Sequence, residues 1–310
     1  MDFAKLRYAL GAIPRRFVQP RVCPSCGTHQ SSRVDRKGFH ELRRCASCAL
    51  LFRWPYETAS EMARFYQREY AQPGLTTDLP DTEMLNHLMA SGFKGSDKDF
   101  SRVVNLFEGL GIPSKARILD YGANWGYGVW QFREAGYDAV GFELSLPRAE
   151  FARHLGVDVF KEWATTAAQG PFDVVFSSHV LEHTPNPGSA LSDQMAALRP
   201  GGWLVALFPN GSEPFRRAKP DNFHRLWGRV HPVMLNDAFV TVVLGDQLVF
   251  RGSLSGSDLA SIRRLTELKS VVGNVSGSEM LVIARKETDP AGSPQQGQRH
   301  SSTIMHGALC

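Results

Sequence analysis

Cysteine is scarce in this chain, and long apolar runs and a dominant sign of charge are absent. Five cysteines in 310 residues are too few for the disulfide framework of a small secreted fold. The longest strongly apolar run, Trp203 to Phe208, falls far short of the roughly 20 residues that cross a bilayer. The opening stretch MDFAKLRYALGAIPRRF has neither an uninterrupted apolar core nor a small-residue cleavage site, so no secretory signal is read and a cytoplasmic location is expected. Phe3, Leu6, Leu10, Ile13 and Phe17 line one face of an expected short helix packed on its own protein. Lys and Arg number 35 against 31 acids, and hydrophobic residues make 43% of the chain. That balance is ordinary for a water-soluble globular protein of one large domain, or one domain with an appendage.

What is present is organised around Arg117 to Glu143. Arg117-Ile-Leu-Asp-Tyr121 reads as a buried strand, and Gly122, Gly126 and Gly128 as a tight turn. Val129 to Ala135 reads as a helix stopped by Gly136, and Val140 to Glu143 as a second strand ending in a carboxylate. Strand, glycine turn, helix, strand and acid are the ground plan of a nucleotide-binding βαβ unit, in which glycines let the backbone approach a ligand and the acid accepts from ribose hydroxyls. The dinucleotide spacing G-x-G-x-x-G is missing. The turn reads Asp120-Tyr-Gly122-Ala-Asn124-Trp-Gly126, and an acid before the first glycine repels a pyrophosphate but suits a cationic ligand.

This pattern resembles motif I of the class I S-adenosylmethionine-dependent methyltransferases, whose cofactor carries an amine and a sulfonium. Asn124 stands where that family usually has glycine, and Asn tolerates left-handed backbone better than most residues. The pieces FDVVFSSHVLEHTPNP and LRPGGWLVALFPN resemble the fourth- and fifth-strand motifs of its small-molecule subgroup. The resemblance implies an α/β, Rossmann-like, doubly wound sheet of seven strands. It implies cofactor contacts from Asp120, Gly122, Asn124, Gly126, Glu143 and Ser178. The end of the third strand lacks the usual acidic signature for the adenine amine.

Four of the cysteines form two C-x-x-C pairs, Cys23/Cys26 and Cys45/Cys48, and Cys310 stands alone. Paired knuckles at this spacing suit one tetrahedral Zn²⁺, and a reducing compartment disfavours disulfides. With sulfur at all four positions no site is left open, so the expected zinc is structural. Residues 1–48 hold ten Lys or Arg against Asp2, Asp35 and Glu41. Such a face suits RNA or an anionic substrate, but Phe39 is the one aromatic between the cysteine pairs, a poor stacking surface for bases. Together with the core, the pairs resemble zinc-ribbon methyltransferases, some of which methylate nucleotide sugars at carbon.

The remaining elements follow in order. Residues 1–52 are expected to form the N-terminal helix and ribbon, 53–113 a helical linker or lid, 114–286 the core and 287–310 a disordered tail. In the linker, Ser60 is expected to cap a helix carrying Met62, Phe65, Tyr66 and Tyr70, and the resemblance makes Tyr66 or Tyr70 a candidate to reach the cofactor. Asp81 caps a second helix through Met84, Leu85, Leu88 and Met89, and Ser101 to Leu110 forms a third. Ser145 caps a helix to His154 with Pro147 in its first turn. Strands are expected at Val157–Phe160, Phe172–Ser177 and Trp203–Phe208, then at Phe239–Leu244, Gln247–Phe250 and Glu279–Arg285, the last two as an antiparallel edge hairpin.

Methyl transfer from a sulfonium is an in-line displacement, so the protein mainly positions donor and acceptor. A hydroxyl or carbon acid must also lose a proton, and His is the usual base near neutral pH. His179 and His183 follow strand four, at the carboxyl edge where open α/β sheets bind ligands. His224 and His231 follow strand five. His231, before Pro232 and after the Trp-Gly break, is the first candidate for base. No N-P-P-Y tetrapeptide of the amino-methylating nucleic-acid enzymes is present. The sequence therefore reads as a methyltransferase of a small molecule, a sugar nucleotide or polar metabolite, modified at carbon or oxygen. An RNA methyltransferase docking its substrate on the ribbon, and a non-catalytic cofactor binder, are the alternatives.

Overall fold

The computed structural model describes residues 13–57, 60–61, 78–253 and 270–288. The expected helix with Met62, Phe65, Tyr66 and Tyr70 lies outside them, as do Phe3, Leu6 and Leu10, residues 289–310 and Cys310. Residues 13–18 are helical, with Phe17 exposed. The first strands are β1 (Ser31–Lys37), β2 (His40–Cys45) and β3 (Leu51–Trp54), an antiparallel meander carrying the cysteine pairs. Helices α1 (Thr82–Ala90) and α2 (Ser101–Gly109) follow, and Asp81 caps α1 by accepting from the Met84 amide.

The core then alternates β4 (Arg117–Tyr121), α3 (Tyr127–Glu134), β5 (Asp138–Phe142), α4 (Leu146–Phe151), β6 (Val159–Phe160), α5 (Trp163–Ala167), β7 (Phe172–Ser178), α6 (Pro187–Ala197) and β8 (Leu198–Pro209). After these come α7 (Glu213–Ala218), α8 (Pro220–Leu226), β9 (Val233–Met234), α9 (Asp237–Leu244), β10 (Leu248–Gly252), β11 (Val271–Val272) and β12 (Glu279–Arg285). Ser145 precedes α4 with Pro147 in its first turn, but its side chain makes no capping bond.

The large sheet runs β11-β10-β12-β8-β7-β4-β5-β6. β4, β5, β6, β7 and β8 are parallel, and β12 is antiparallel to both of its neighbours. Seven of these strands are the doubly wound set that the sequence implies. The eighth, β11, is a two-residue edge pairing with β10. The chain leaves β4 toward β5 and β6, then returns on the other side to β7. The switch point, where such sheets bind ligands, therefore lies at the carboxyl ends of β4 and β7.

Alternate residues of the strands feed two cores. Leu119, Val175, Leu204 and Ala206 face one layer; Ile118, Val174, Val205 and Leu207 face the other. The first layer also contains Cys23, Cys45, Cys48, Phe52 and Trp54. The ribbon is thus packed onto one face of the sheet as part of its core, each buried large side chain contributing about 1.5–3 kcal/mol. Backbone pairing reinforces the docking. β9 joins the ribbon sheet beside β3, and the Arg53 amide donates to the Pro232 carbonyl at 2.7 Å.

One expected strand is a helix. Phe239 to Leu244 lies in α9, where Asn236 accepts from the Phe239 amide at 2.9 Å. The β-branched run suggests a strand, but the buried residues Phe239, Val240 and Leu244 recur with helical rather than alternating spacing. The cap and that apolar face outweigh intrinsic propensity.

Candidate active site and cysteine cluster

The glycine turn sits at the end of β4 in the left-handed backbone its sequence suggests. Gly122, Asn124 and Gly126 have φ of +90°, +52° and +86°. A Cβ at Gly122 would stand 2.1 Å from Val180 Cγ2, and one at Gly128 would stand 2.4 Å from Asp120 Oδ2. Glycine is therefore required for contact at both positions. The turn holds the loop after β7 on one side and the Asp120 carboxyl against the first turn of α3 on the other.

Glu143 follows β5 and accepts from the Asn124 amide at 3.1 Å and the Ser145 amide at 2.7 Å. It ties the tip of β5 to the turn while remaining partly accessible. Burial pushes the Asp120 carboxyl up to about 8, and the nearby Glu143 adds to the rise. Burial also raises Glu143, against the Ser145 amide and Arg148. Two carboxyls held above their ordinary range fit a site built for a cation. Leu144, beside Glu143, is 67% exposed, an apolar surface that the sequence reading did not single out. Ser178 ends β7 opposite Leu207, half-buried.

The histidines divide. His224 Nδ1 meets Asp35 Oδ2 at 2.8 Å, and the same oxygen accepts from Trp227 Nε1 at 2.8 Å. This histidine is bonded to β1 of the ribbon. His179 begins the loop after β7 with φ of +54°, an uncommon conformation of the kind that collects at functional sites. Its Nε2 lies 2.6 Å from Glu279 Oε1 and its Nδ1 3.3 Å from Glu182 Oε1. Burial opposes its charge, but the two carboxylates win and raise it to about 10. Half-exposed, it is a cation near neutral pH and a weak proton acceptor.

His183 and His231 come together from opposite sides, with ring centroids 4.8 Å apart. His183 Nδ1 lies 2.7 Å from the Val230 carbonyl, and His231 Nδ1 lies 2.7 Å from the Leu226 carbonyl. A carbonyl only accepts, so both Nδ1 atoms donate and both Nε2 atoms carry the lone pair in the neutral ring. Burial and the neighbouring His183 lower the His231 pKa.

Between them lies Glu182, which is 0% exposed and was not among the sequence candidates. Burial raises its pKa, but His183 and His179 reverse the shift and the net direction is down. One donor atom each from Glu182, His183 and His231 lie within 4.8 Å of one another. The sequence signal was a carboxylate placed inside the apolar turn Val180-Leu-Glu-His183.

The four knuckle cysteines converge as their spacing suggests. All four sulfurs lie within 4.8 Å of one another, with Cys23 Sγ to Cys48 Sγ 3.6 Å and Cys26 Sγ to Cys45 Sγ 3.4 Å. Sulfurs bound tetrahedrally at about 2.3 Å stand roughly 3.8 Å apart, whereas a disulfide needs about 2.05 Å. The donor set and its spacing fit one Zn²⁺. Burial pushes the Cys23 thiol up to about 11, so a thiolate there calls for a cation. The cluster is bound to the core on two sides. A Cβ at Gly188, at the start of α6, would stand 2.3 Å from Ser25 Oγ, and Asn236 Nδ2 donates to the Ala49 carbonyl at 2.8 Å.

The basic face is partly neutralised within the protein. Glu41 pairs with Arg16 and Arg43, Glu61 with Arg15, and Glu57 with Arg53.

Comparison with known proteins agrees with this geometry. A family model for a methyltransferase domain matches residues 96–232, the span from just before α2 to the residue after His231. The ubiquinone biosynthesis O-methyltransferase of Bordetella avium (strain 197N) is 31% identical over 97 residues, 28% of this chain and 40% of that protein. Its counterpart in Bordetella bronchiseptica (strain ATCC BAA-588 / NCTC 13252 / RB50) is 28% identical over 149 residues, 43% of this chain and 61% of that one. An uncharacterized methyltransferase of Mycobacterium sp. (strain KMS) is 31% identical over 121 residues, 37% of this chain and 48% of that one. The chain thus spans about half the length of these relatives, from 40% to 61%.

Among solved structures, a TehB-like SAM-dependent methyltransferase from Corynebacterium glutamicum ATCC 13032 Kitasato superposes with TM-score 0.44 at 20% identity, covering 66% of this chain and 95% of that one. The magnesium protoporphyrin IX methyltransferase of Synechocystis PCC 6803 superposes with TM-score 0.47 at 12% identity, covering 74% of this chain and all of that one. Residues 96–232 match a methyltransferase domain, and the strand order and the glycine turn agree with the class I, S-adenosylmethionine-dependent form of that fold.

Proposed function

We propose that the protein transfers the methyl group of S-adenosylmethionine to a small polar acceptor, at an oxygen or an acidic carbon. A nucleotide-linked sugar is one acceptor of the right kind. The observation that carries this reading is the contact between the glycine turn and the loop after β7. Val180 is seated on Gly122, and Glu182 and His183 follow at once. Cofactor turn and proton-accepting cluster therefore share one edge of the sheet.

In this reading Gly122, Asn124 and Gly126 let the cofactor approach the backbone, and Glu143 accepts from its ribose. Asp120 balances its positive charge, and Ser178 borders it at the end of β7. Removal of the acceptor's proton falls to the Glu182–His183–His231 cluster, where His231 offers a neutral Nε2 lone pair. His179, charged, steadies Glu182 and Glu279. Relatives named as ubiquinone biosynthesis O-methyltransferases support an oxygen acceptor. The four cysteines hold one structural Zn²⁺, and the ribbon buttresses the segment that carries His231. Neutralised arginines on the ribbon favour a small anionic acceptor over RNA, which would need those charges free.

Incubation with methyl-labelled cofactor and a cell extract divided into low-mass metabolites and RNA tests the proposal. Label is expected in the low-mass, nuclease-resistant fraction. Label confined to RNA would move the function to the ribbon face. Cofactor binding without any transfer would leave a binder rather than an enzyme.

A further inference from the structure

We infer that Glu182, His183 and His231 form a divalent-cation site, separate from the four cysteines, whose open positions take an oxygen of the methyl acceptor. This deepens the proposed function, because it rests on the acceptor lying at this cluster.

Three features point to it. The Glu182 carboxylate is wholly buried, yet neither oxygen accepts a well-directed hydrogen bond from the described residues. Buried carboxylates are normally satisfied, and leaving one unsatisfied is costly. His179 does not remove the anomaly: its Nδ1 is 3.3 Å from Oε1, its shorter contact is to Glu279, and Oε2 is left over.

The two histidines are oriented as ligands. Each donates Nδ1–H to a backbone carbonyl, Val230 for His183 and Leu226 for His231. That arrangement fixes the tautomer and ring orientation of metal-binding histidines, with Nε2 as the ligand atom.

The spacing also fits. His183 Nε2 lies 3.8 Å from Glu182 Oε1, too far for a hydrogen bond, and the three donor atoms fall within 4.8 Å. Cis ligands on one ion at about 2.1 Å stand roughly 3.0–3.4 Å apart, so a small inward movement closes the set. Two imidazoles and one carboxylate with positions left open suit Fe²⁺, Mn²⁺ or a similar ion rather than a closed structural site.

The chemistry balances without another reagent. A hydroxyl bound to the cation loses its proton to water more readily. The oxygen then forms a bond to the methyl carbon as the carbon–sulfur bond breaks, and sulfur keeps that electron pair as a neutral thioether. In the cation-bound form His231 acts as a ligand and lowers the hydroxyl's pKa through the ion.

Mn²⁺ is the probe, since thiolate ribbons select softer ions. Titration of the zinc-loaded protein, followed by loss of the free Mn²⁺ electron-spin signal, is expected to show one bound ion per chain. His183→Ala and Glu182→Gln are each expected to weaken binding about 10–100-fold or more, with cofactor affinity showing that each variant is folded. Absence of Mn²⁺ binding, or equal binding in both folded variants, overturns the inference. If Mn²⁺ does not bind while label still reaches a small molecule, the function stands and the cation site falls. If Mn²⁺ binds as expected and no acceptor is methylated, the site stands and the function falls.

Discussion

At the scale of single residues, two carboxyls, Glu143 and Asp120, stand at the glycine turn. Glu143 is bonded to the Asn124 and Ser145 amides and in the proposed function accepts from the cofactor's ribose, so Glu143→Ala should cost both. S-adenosylmethionine affinity should fall by about 1.5–3 kcal/mol, the range for hydrogen bonds to a charged group. Unchanged affinity by calorimetry would take Glu143 out of the site. Asp120 gives a pH dependence. Its folded pKa, about 8, lies above the ordinary 3.8, so between those values the folded apoprotein keeps a proton that the unfolded chain has lost. Its contribution to stability is full below the lower value and declines as pH rises toward the upper one. A cationic cofactor prefers the ionised carboxylate, so its affinity should rise over the same window and level off above about 8. Calorimetry across that range should show the slope, and Asp120→Asn should flatten it. A pH-independent affinity in the wild type would remove Asp120 from contact with the cofactor's charge.

At the scale of elements, β4, α3 and β5 were legible because short-range chemistry dictates them. An apolar run, glycines that must take positive φ and a helix stop all fall within a single stretch. The paired knuckles were legible for the same reason. Less legible was Phe239 to Leu244, whose β-branched composition argues for a strand while its cap and buried face make α9. Glu182 is not legible in the sequence, because His231, which it meets, approaches from another element. The ribbon's place in the sheet's own core was equally long-range, since β9 reaches β3 from far along the chain. Two predictions belong here. Asn236 both caps α9 and donates to Ala49 in the second knuckle, so Asn236→Ala should destabilise the protein by about 1–2 kcal/mol in denaturant unfolding. Wild-type stability would mean that neither bond contributes. Elemental analysis should find one zinc per chain in the wild type and none in Cys45→Ser. Because β3 and β9 hold the His231 segment, turnover should then drop more than cofactor affinity. A metal-free wild type of normal thermal stability would contradict the zinc assignment.

At the scale of the whole molecule, the ribbon and the methyltransferase sheet share a core, and the point where they meet is the segment carrying His231. The cofactor turn reaches the same region through Val180. In the proposed function, binding and proton removal fall to different elements that converge at one edge, so the two should separate on mutation. Single-turnover transfer to the acceptor that the labelling experiment identifies, in wild type and His231→Ala at saturating cofactor, is the direct test. The variant's rate is expected to be lower by about 10²–10⁴-fold, the typical contribution of positioned acid–base catalysis, with cofactor affinity unchanged. A rate within a few-fold of wild type would contradict it.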